Sequence, residues 1–328
     1  MWSPGGAGFI GSNFILQRMR DDSVSFDKFT YAGNPHNLER IAERSLMKVM
    51  IIGATGLLGK PLMRQWRGAE LLGTGSRDLD IRDAAPVRDI IEKNHPDWIV
   101  LAGAYTDVDG CEKNPDLALA VNRDGAVNVA NAAKSIRAKL LFLSSDYVFD
   151  GTKSTPYETN DARNPQSVYG RSKAEAELRL LEVLPDACIV RTSWLFGAGG
   201  KCFPDTILKL AAARPHLEVV NDQRGCPTYT VDLATAIIAL CGKNASGLIH
   251  ACNAGECTWF DFAREIVSSA GLNTEVRPVS SAQMARPAPR PTYSVLSATS
   301  LHRYGIVMPE WKDALRRYLD ERQSVTGN

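Results

Sequence analysis

The sequence predicts an α/β fold, a doubly wound parallel sheet with a smaller C-terminal lobe. From residue 47 onward, short apolar runs alternate with amphipathic stretches, as expected of parallel strands joined by crossover helices. The run KVMII at 48–52 is almost wholly apolar, which favours a strand buried on both faces. A glycine-rich turn, GATGLLG, follows this strand directly. Together these observations indicate a sheet of the Rossmann type.

The alternation sets the order of the elements in the first two thirds of the chain. The predicted strands are 48–52, 69–73, 98–103, 139–145 and 187–193, and the predicted helices are 57–66, 84–94, 115–136 and 169–184. Parallel neighbours need a crossover connection. Each of these helices is therefore expected to pack on a face of the sheet.

The last third of the chain is less regular and is expected to form mainly a smaller lobe that closes over the sheet. Its predicted helices are 203–213, 230–242, 258–270 and 309–322, mixed with the short strands LEVV and GLIHAC. The stretch RPAPRPTYS at 286–294 carries too many prolines for a helix or a central strand, so it should be an ordered loop or an edge.

The composition excludes several classes of protein. Of the 328 residues, 44% are hydrophobic and 23% charged, and the formal net charge of +1 gives no reason to expect a nucleic-acid partner. No apolar run reaches the roughly 20 residues that span a bilayer, and no signal-peptide layout is present. The seven cysteines contain no CxxC pair, which favours reduced thiols. We expect a cytoplasmic protein without a membrane partner, and leave a homodimer open.

Two glycine patterns of the form GxxGxxG occur, at 5–11 and at 53–59. A dinucleotide-binding turn needs a strand before it and a helix after it, because the helix N-terminus presents amides to the pyrophosphate. Only the pattern at 53–59 has both, since the other is preceded by MWSP alone. We therefore expect no second nucleotide site at 5–11. The residues assigned to the cofactor turn are Gly53, Gly56, Leu57, Leu58 and Gly59.

The choice of nicotinamide cofactor is made after the second strand of such a fold. Ser76 and Arg77 stand there, and an arginine suits the 2′-phosphate of NADPH, with NADH as the alternative. Asp80 and Ile81 follow and are expected to flank the adenine.

The segment YGRSK places Tyr169 and Lys173 four residues apart, on one face of a helix. A tyrosine hydroxyl, with a pKa of about 10, becomes a useful acid–base catalyst when a nearby ammonium stabilises the phenolate. The strand before this helix ends in Ser144-Ser145-Asp146, and doubly wound sheets carry their chemistry at such carboxyl ends. This order of glycine turn, strand-end serine and YxxxK is typical of an extended short-chain dehydrogenase/reductase.

A set of longer motifs makes the resemblance more specific. They are SSDYVFDG at 144–151, VYGRSK at 168–173, RTSWLFG at 191–197, DQRGCPT at 222–228, TWFDFAREI at 258–266 and RPTYSVL at 290–296. From residue 47 almost to the C-terminus, the chain resembles the dTDP-4-dehydrorhamnose reductases. That family reduces the 4-keto group of dTDP-6-deoxy-L-lyxo-4-hexulose to dTDP-L-rhamnose with NAD(P)H, for polysaccharides such as O-antigen. The resemblance implies a dTDP-sugar as the substrate.

The resemblance also implies roles for individual residues. Tyr169 would be the proton donor and Lys173 its partner, and Ser145 would supply a hydroxyl that is usually a threonine's. Trp194 and Asp146 match positions that line the sugar site. Ala104, Tyr105 and Thr106 match the stretch beside the cofactor, and Thr106 also the sugar site. Ser297 departs from the family, which usually has an aspartate there.

The resemblance implies a division of the chain. Residues 47–195 would bind the cofactor, and 196–328 would mainly bind the substrate, with some elements returning to the Rossmann sheet. Residues 1–46 resemble the N-terminus of dTDP-glucose 4,6-dehydratase and are expected to be a non-functional remnant, because Met47-Lys48 looks like a natural start.

Three other functions are weighed against the reductase. The dehydratase is disfavoured because Ser145-Asp146-Tyr147 lacks the glutamate that water elimination needs. A non-catalytic subunit like the regulatory β subunit of methionine adenosyltransferase has the same fold and similar motifs, but fits RTSWLFG and DQRGCPT less well. Another nucleotide-sugar reductase of the extended family also remains open. Magnesium is reported for some reductases of this family, yet no carboxylate cluster here argues for a metal site.

Overall fold

A computed structural model describes residues 46–326 of the chain. The chain divides into two units, Met1–Met47 and Lys48–Asn328. The predicted remnant at 1–46, with its glycine pattern at 5–11, lies outside the described residues except for its last residue.

Strands and helices alternate as expected in the first part of the unit. The strands are β1 (Met47–Ile52), β2 (Ala69–Thr74), β3 (Trp98–Leu101), β4 (Lys139–Ser145), β5 (Cys188–Thr192), β6 (Leu195–Phe196), β7 (His216–Val220), β8 (Arg224–Gly225), β9 (Thr228–Tyr229), β10 (Gly247–His250), β11 (Cys257–Thr258) and β12 (Glu275–Val279). The helices are α1 (Gly59–Gln65), α2 (Ala84–Asn94), α3 (Val108–Lys113), α4 (Pro115–Leu119), α5 (Gly125–Ser135), α6 (Val168–Val183), α7 (Phe203–Ala213), α8 (Thr230–Gly242), α9 (Trp259–Ser269), α10 (Ser281–Met284), α11 (Thr299–His302) and α12 (Trp311–Thr326).

The central sheet has six strands in the order β10-β5-β4-β3-β1-β2. β1 runs parallel to β3, with Val49 opposite Trp98, and the pairs β3–β4, β4–β5 and β5–β10 are also parallel. The connections reverse direction between β1 and β3, because β2 lies on one side of β1 and the later strands on the other. This is the topological switch point at which doubly wound sheets bind ligands. The predicted fold class is confirmed.

Two hydrophobic clusters form most of the core. The first packs the sheet against α2, α5 and α6, around residues such as Ile99 and Val129 that have no exposed surface. The second lies in the C-terminal part and gathers α7, α9 and α12 around Phe262 and Leu315. One cleft is lined from both, by Ile81 of the first cluster and by Trp194, which packs on the second.

The helix predicted at 115–136 is interrupted. A π-helical turn at Ala120–Asp124 separates α4 from α5. The buried amide of Asn122 in this turn accepts a hydrogen bond from the Tyr105 amide (2.8 Å) and donates to the Tyr105 carbonyl (3.0 Å). π turns often occur at functional sites. Here the turn places Asn122 in contact with Tyr105, a tertiary contact that the apolar periodicity of the sequence does not predict.

The proline-rich stretch 286–294 is a loop, as its composition predicts. Only Tyr293 forms an isolated bridge, with Arg224 of β8. Backbone hydrogen bonds join Arg224 to Thr292 and Ser294, each at 2.8 Å. The loop is therefore ordered by the C-terminal part of the fold. Within residues 46–326, no helix has the length and apolarity that crossing a membrane requires.

Candidate active site

A cleft of about 890 Å³ lies at the carboxyl ends of β1, β3, β4 and β5. The sequence-predicted site residues that line it are Gly53, Gly56, Leu57, Leu58, Gly59, Asp80, Ile81, Ala104, Thr106, Ser145, Asp146, Tyr169, Lys173 and Trp194. Arg77 and Tyr105 do not line it. The fold therefore brings together most of the residues that the sequence singles out.

The glycine turn at 53–59 has the shape that a dinucleotide needs. Gly53 has a left-handed φ of +95°, and a Cβ atom there would lie 2.5 Å from the Gly103 nitrogen. A Cβ on Gly59 would lie 2.1 Å from the Gly53 carbonyl oxygen. No side chain fits at either position, so a bound group can approach the backbone at the start of α1. This close-packed turn fits a pyrophosphate.

The part of the cleft that follows β2 differs from the prediction in one respect. Arg77 is exposed and lies outside the lining, whereas Ser76, Ile81 and Arg82 line the cleft. The Arg82 guanidinium forms a two-pronged pair with Asp80, with distances down to 2.5 Å. This hydrogen bonding lowers the pKa of Asp80 to about 2. Arg82, rather than Arg77, is therefore the arginine that lines the cleft.

Tyr169 lies in the first turn of α6, which the Ser167 hydroxyl caps by accepting a hydrogen bond from the Gly170 amide. Its ring packs edge-to-face on Tyr147, with 5.6 Å between the centroids. Burial raises the pKa of Tyr169 above its ordinary value, and a hydrogen bond with the Ser145 hydroxyl partly offsets this. The phenol therefore keeps its proton at neutral pH and can donate it.

Lys173 follows one turn later and lines the same cleft. Its ammonium lies 4.0 Å from the centre of the Phe142 ring. Burial lowers the pKa of Lys173 to about 7, although the nearby Glu177 carboxylate opposes this. Desolvation is thus the largest influence on the pKa of both Tyr169 and Lys173.

The end of β4 places two polar side chains beside Tyr169. The Ser145 hydroxyl donates to Asp146 Oδ1 at 2.9 Å and accepts from the Tyr147 amide at 3.2 Å. Asp146 Oδ2 accepts a hydrogen bond of 2.6 Å from the Ser294 hydroxyl. Burial raises the pKa of Asp146 to about 6, while these hydroxyls lower it. The carboxyl group is thus close to neutralisation at mildly acidic pH.

An aromatic wall faces this polar corner. Trp194 adopts a left-handed φ of +47° and stacks on Trp259, with centroids 3.5 Å apart and planes 7° from parallel. Behind it, a Cβ on Gly225 would come within 2.6 Å of the Trp194 ring. Both tryptophans line the cleft and offer a flat apolar surface for a sugar or a base.

A buried ionic network anchors α6 to the strand ends. Glu177 and Arg191 have no exposed surface and share two hydrogen bonds, of 2.6 and 2.8 Å. Glu177 also accepts from the Ser144 hydroxyl at 2.5 Å and from Arg163 at 2.6 Å. Ser144 precedes Ser145, and Glu177 lies one turn after Lys173. The network therefore fixes the positions of Ser145 and Lys173 relative to each other.

A second polar link reaches α6 from the π turn. Asn122 donates to the Ser172 hydroxyl at 2.9 Å, and that hydroxyl donates to the Tyr169 carbonyl at 2.7 Å. The backbone of Tyr105, held by the same Asn122 amide, lies between Ala104 and Thr106, which line the cleft. Tyr105 thus contributes its backbone rather than a cleft-lining side chain.

Several cleft-lining residues were not singled out from the sequence. Among them are Thr55, Arg82, Tyr147, Lys201 and Trp259. Tyr147 lies in the motif SSDYVFDG and Trp259 in TWFDFAREI. The motifs themselves do not indicate which of their residues face the cleft. Within the described part of the chain, no group of three or more His, Cys, Asp or Glu side chains is arranged to hold a metal ion.

Comparison with known proteins places these features in a family. The RmlD substrate binding domain family matches residues 47–324. A dTDP-4-dehydrorhamnose reductase of Mycobacterium tuberculosis is 41% identical over 278 residues, which is 82% of this chain and 91% of that protein. The spore coat polysaccharide biosynthesis protein SpsK of Bacillus subtilis is 40% identical over 282 residues, 85% of this chain and 99% of that protein.

A solved structure shares both the fold and the sequence pattern. The dTDP-4-dehydrorhamnose reductase of Bacillus anthracis, solved in complex with NADP, superposes with a TM-score of 0.82 at 37% identity. The match covers 84% of this chain and 99% of that one. Almost the whole of that protein therefore superposes on residues of the unit Lys48–Asn328.

Proposed function

The chain belongs to the RmlD substrate binding domain family, and from this premise we propose that it reduces dTDP-4-dehydrorhamnose to dTDP-L-rhamnose with NADPH. The expected resemblance to the dTDP-4-dehydrorhamnose reductases, an oxidoreductase family, is confirmed by relatives of that name. One observation carries the proposal. A single cleft combines a glycine turn that fits a pyrophosphate with Ser145, Tyr169 and Lys173.

The two parts of the chain that form the cleft are proposed to bind different molecules. Residues 47–195 would bind the cofactor through the glycine turn, and 196–328 would supply most of the substrate-binding surface. The Trp194–Trp259 wall joins the two parts, because Trp194 follows β5 and Trp259 begins α9. NADP in the Bacillus anthracis relative supports NADPH as the cofactor.

The proposed mechanism assigns one task to each polar group. When bound, the nicotinamide would supply the hydride for the ketone carbon. Tyr169, protonated at neutral pH, donates its proton to the ketone oxygen as negative charge builds there. Ser145 donates a hydrogen bond to the same oxygen. Lys173 would hold the cofactor ribose, and in its charged form it would stabilise the phenolate that Tyr169 becomes.

The direct test starts from dTDP-glucose and the upstream enzymes that convert it to the 4-keto sugar. Purified protein should then consume NADPH and form dTDP-L-rhamnose, identified by NMR, with NADH run in parallel. Cofactor binding without turnover would favour the non-catalytic role resembling the methionine adenosyltransferase β subunit. A product with another configuration at C4 would point to a different nucleotide-sugar reductase.

The glycine turn provides an independent prediction about the cofactor. Replacing Gly59 with alanine places a Cβ atom 2.1 Å from the Gly53 carbonyl oxygen, so the turn must open. We expect the affinity for NADPH, measured by fluorescence titration, to fall about tenfold or more, a loss of about 1.4 kcal/mol. Gly242→Ala is the control, because nothing lies within 4 Å of its Cβ position. Equal affinities in the two variants would contradict the assignment.

A further inference from the structure

The Asp146 carboxylate joins the two parts of the cleft. It follows β4 directly and is 1% exposed, yet its second oxygen is held by Ser294, 148 residues further along the chain. Ser294 is also 1% exposed and lies behind Asp146, outside the lining of the cleft. One buried carboxylate therefore connects the strand-end hydroxyl of Ser145 to the proline-rich loop at 286–294.

The position of Ser294 is set by how this loop is docked. On one side, Asp109 of α3 accepts hydrogen bonds from the Ala288 amide at 3.2 Å and from Arg290 at 3.0 Å. On the other side, the backbone of Arg224 bonds to Thr292 and to Ser294. The loop is thus fixed both to the sheet domain and to the C-terminal part, which gives the Ser294 hydroxyl a defined place.

Two acceptors compete for the single hydroxyl proton of Ser145. In the structure this proton goes to Asp146, while the Tyr147 amide donates to the Ser145 oxygen. A ketone oxygen beside Tyr169 needs the same proton from Ser145. A carboxylate whose other oxygen already accepts a short hydrogen bond holds less excess charge, so it binds the Ser145 proton less strongly.

We propose that Ser294 is a positioning residue for the ketone reduction, which holds Asp146 and satisfies part of its charge so that the Ser145 hydroxyl can turn to the substrate oxygen. It acts through Asp146 and Ser145 and touches no reacting atom. The inference rests on the proposed reductase function.

The proposal predicts that the effect of Ser294 on activity depends on pH, through the protonation of Asp146. Asp146 raises the pKa of Tyr147, Tyr169 and Cys252, and Lys173, with a pKa of about 7, lines the same cleft. The pKa of each of the first three is raised mainly by burial for the tyrosines and by contact with Cys226 for Cys252, so none of these three changes charge near pH 6. Burial raises the pKa of Asp146 to about 6 and the Ser294 hydrogen bond lowers it. Removing that bond moves the Asp146 pKa upward.

The test compares Ser294→Ala with Ser297→Ala in the full chain. The Ser297 hydroxyl bonds only to Thr299 among the described residues, so its removal is the matched control. We expect Ser294→Ala to lower kcat for the sugar about tenfold, in line with a hydrogen bond to a charged group. The KM for NADPH should not change. Because a protonated Asp146 no longer competes for the Ser145 proton, the kcat deficit of Ser294→Ala should shrink as the pH falls through the pKa of Asp146. Ser297→Ala should behave as wild type.

Two results would overturn the proposal while leaving the reductase function intact. One is an unchanged kcat and pH profile in Ser294→Ala beside an active wild type. The other is a parallel loss of kcat, NADPH affinity and melting temperature, because it would show that the hydroxyl only maintains the fold. If wild-type protein does not reduce the sugar at all, the proposed function fails and the role of Ser294 fails with it.

Discussion

Replacing Tyr169 with phenylalanine is expected to lower kcat by about 10²–10⁴-fold, the usual contribution of a general acid. The ring, its edge-to-face contact with Tyr147 and the capped start of α6 are all retained, and only the hydroxyl group is lost. The KM for NADPH should stay close to the wild-type value. Steady-state kinetics with the 4-keto sugar measure both quantities.

Tyr147 is the sharpest control for this prediction. It lines the same cleft, packs against Tyr169, and has a pKa that burial raises above its ordinary value, so it is the rival proton donor. Tyr147→Phe should retain most of the wild-type rate. A large loss in Tyr147→Phe together with a near-normal rate in Tyr169→Phe would exchange the two roles and refute the assignment of Tyr169.

Replacing Glu177 with alanine is expected to cost about 3–5 kcal/mol of unfolding free energy, because it leaves the buried Arg191 guanidinium without a counter-charge. Arg191 has no exposed surface, so bulk water does not solvate its charge. The Ser144 hydroxyl and Arg163 lose an acceptor as well. Urea unfolding at neutral pH measures the change.

Glu175→Ala is the matched control on the same helix. Glu175 is more than a third exposed and pairs with Arg123, so its removal should cost at most about 1 kcal/mol. Similar losses in the two variants would show that the buried pair contributes no more than a surface pair.

The Glu177 contribution also has a defined pH dependence. Burial alone raises the pKa of Glu177, but Arg191, Ser144 and Arg163 bring it below the ordinary 4.5. The folded pKa is therefore lower than the unfolded one. The stabilisation is present above about pH 4.5 and is lost as the pH falls through the folded pKa. The difference between wild type and Glu177→Gln should shrink in that acidic range.

Much of the fold could be predicted because its signals are local. The periodic apolar runs placed β4 and the helices α7 and α8 with the bounds that the structure has. The glycine turn was also predictable, since a strand before it and a helix after it are adjacent in sequence. The motif YGRSK put Tyr169 and Lys173 on one helical face for the same reason.

The parts that could not be predicted depend on contacts between distant residues. Asn122 produces a π turn where periodicity indicates a continuous helix, because its amide binds the backbone of Tyr105. Trp259 meets Trp194 only when α9 packs beside the end of β5. Ser294 reaches Asp146 through a loop whose sequence indicates only irregular structure. Arg77 was favoured by its place after β2, yet Arg82 is the arginine on the cleft wall.

The most direct test of the central claim, reduction of a 4-keto sugar in this cleft, is the fate of an isotope label. NADPH carrying deuterium at the transferable position should be incubated with the wild-type protein and the 4-keto sugar, and the product examined by NMR. Our account predicts one deuterium at C4 of the sugar for each NADPH consumed. NADPH consumption without deuterium at C4, or no consumption by folded protein that binds NADPH, would contradict it.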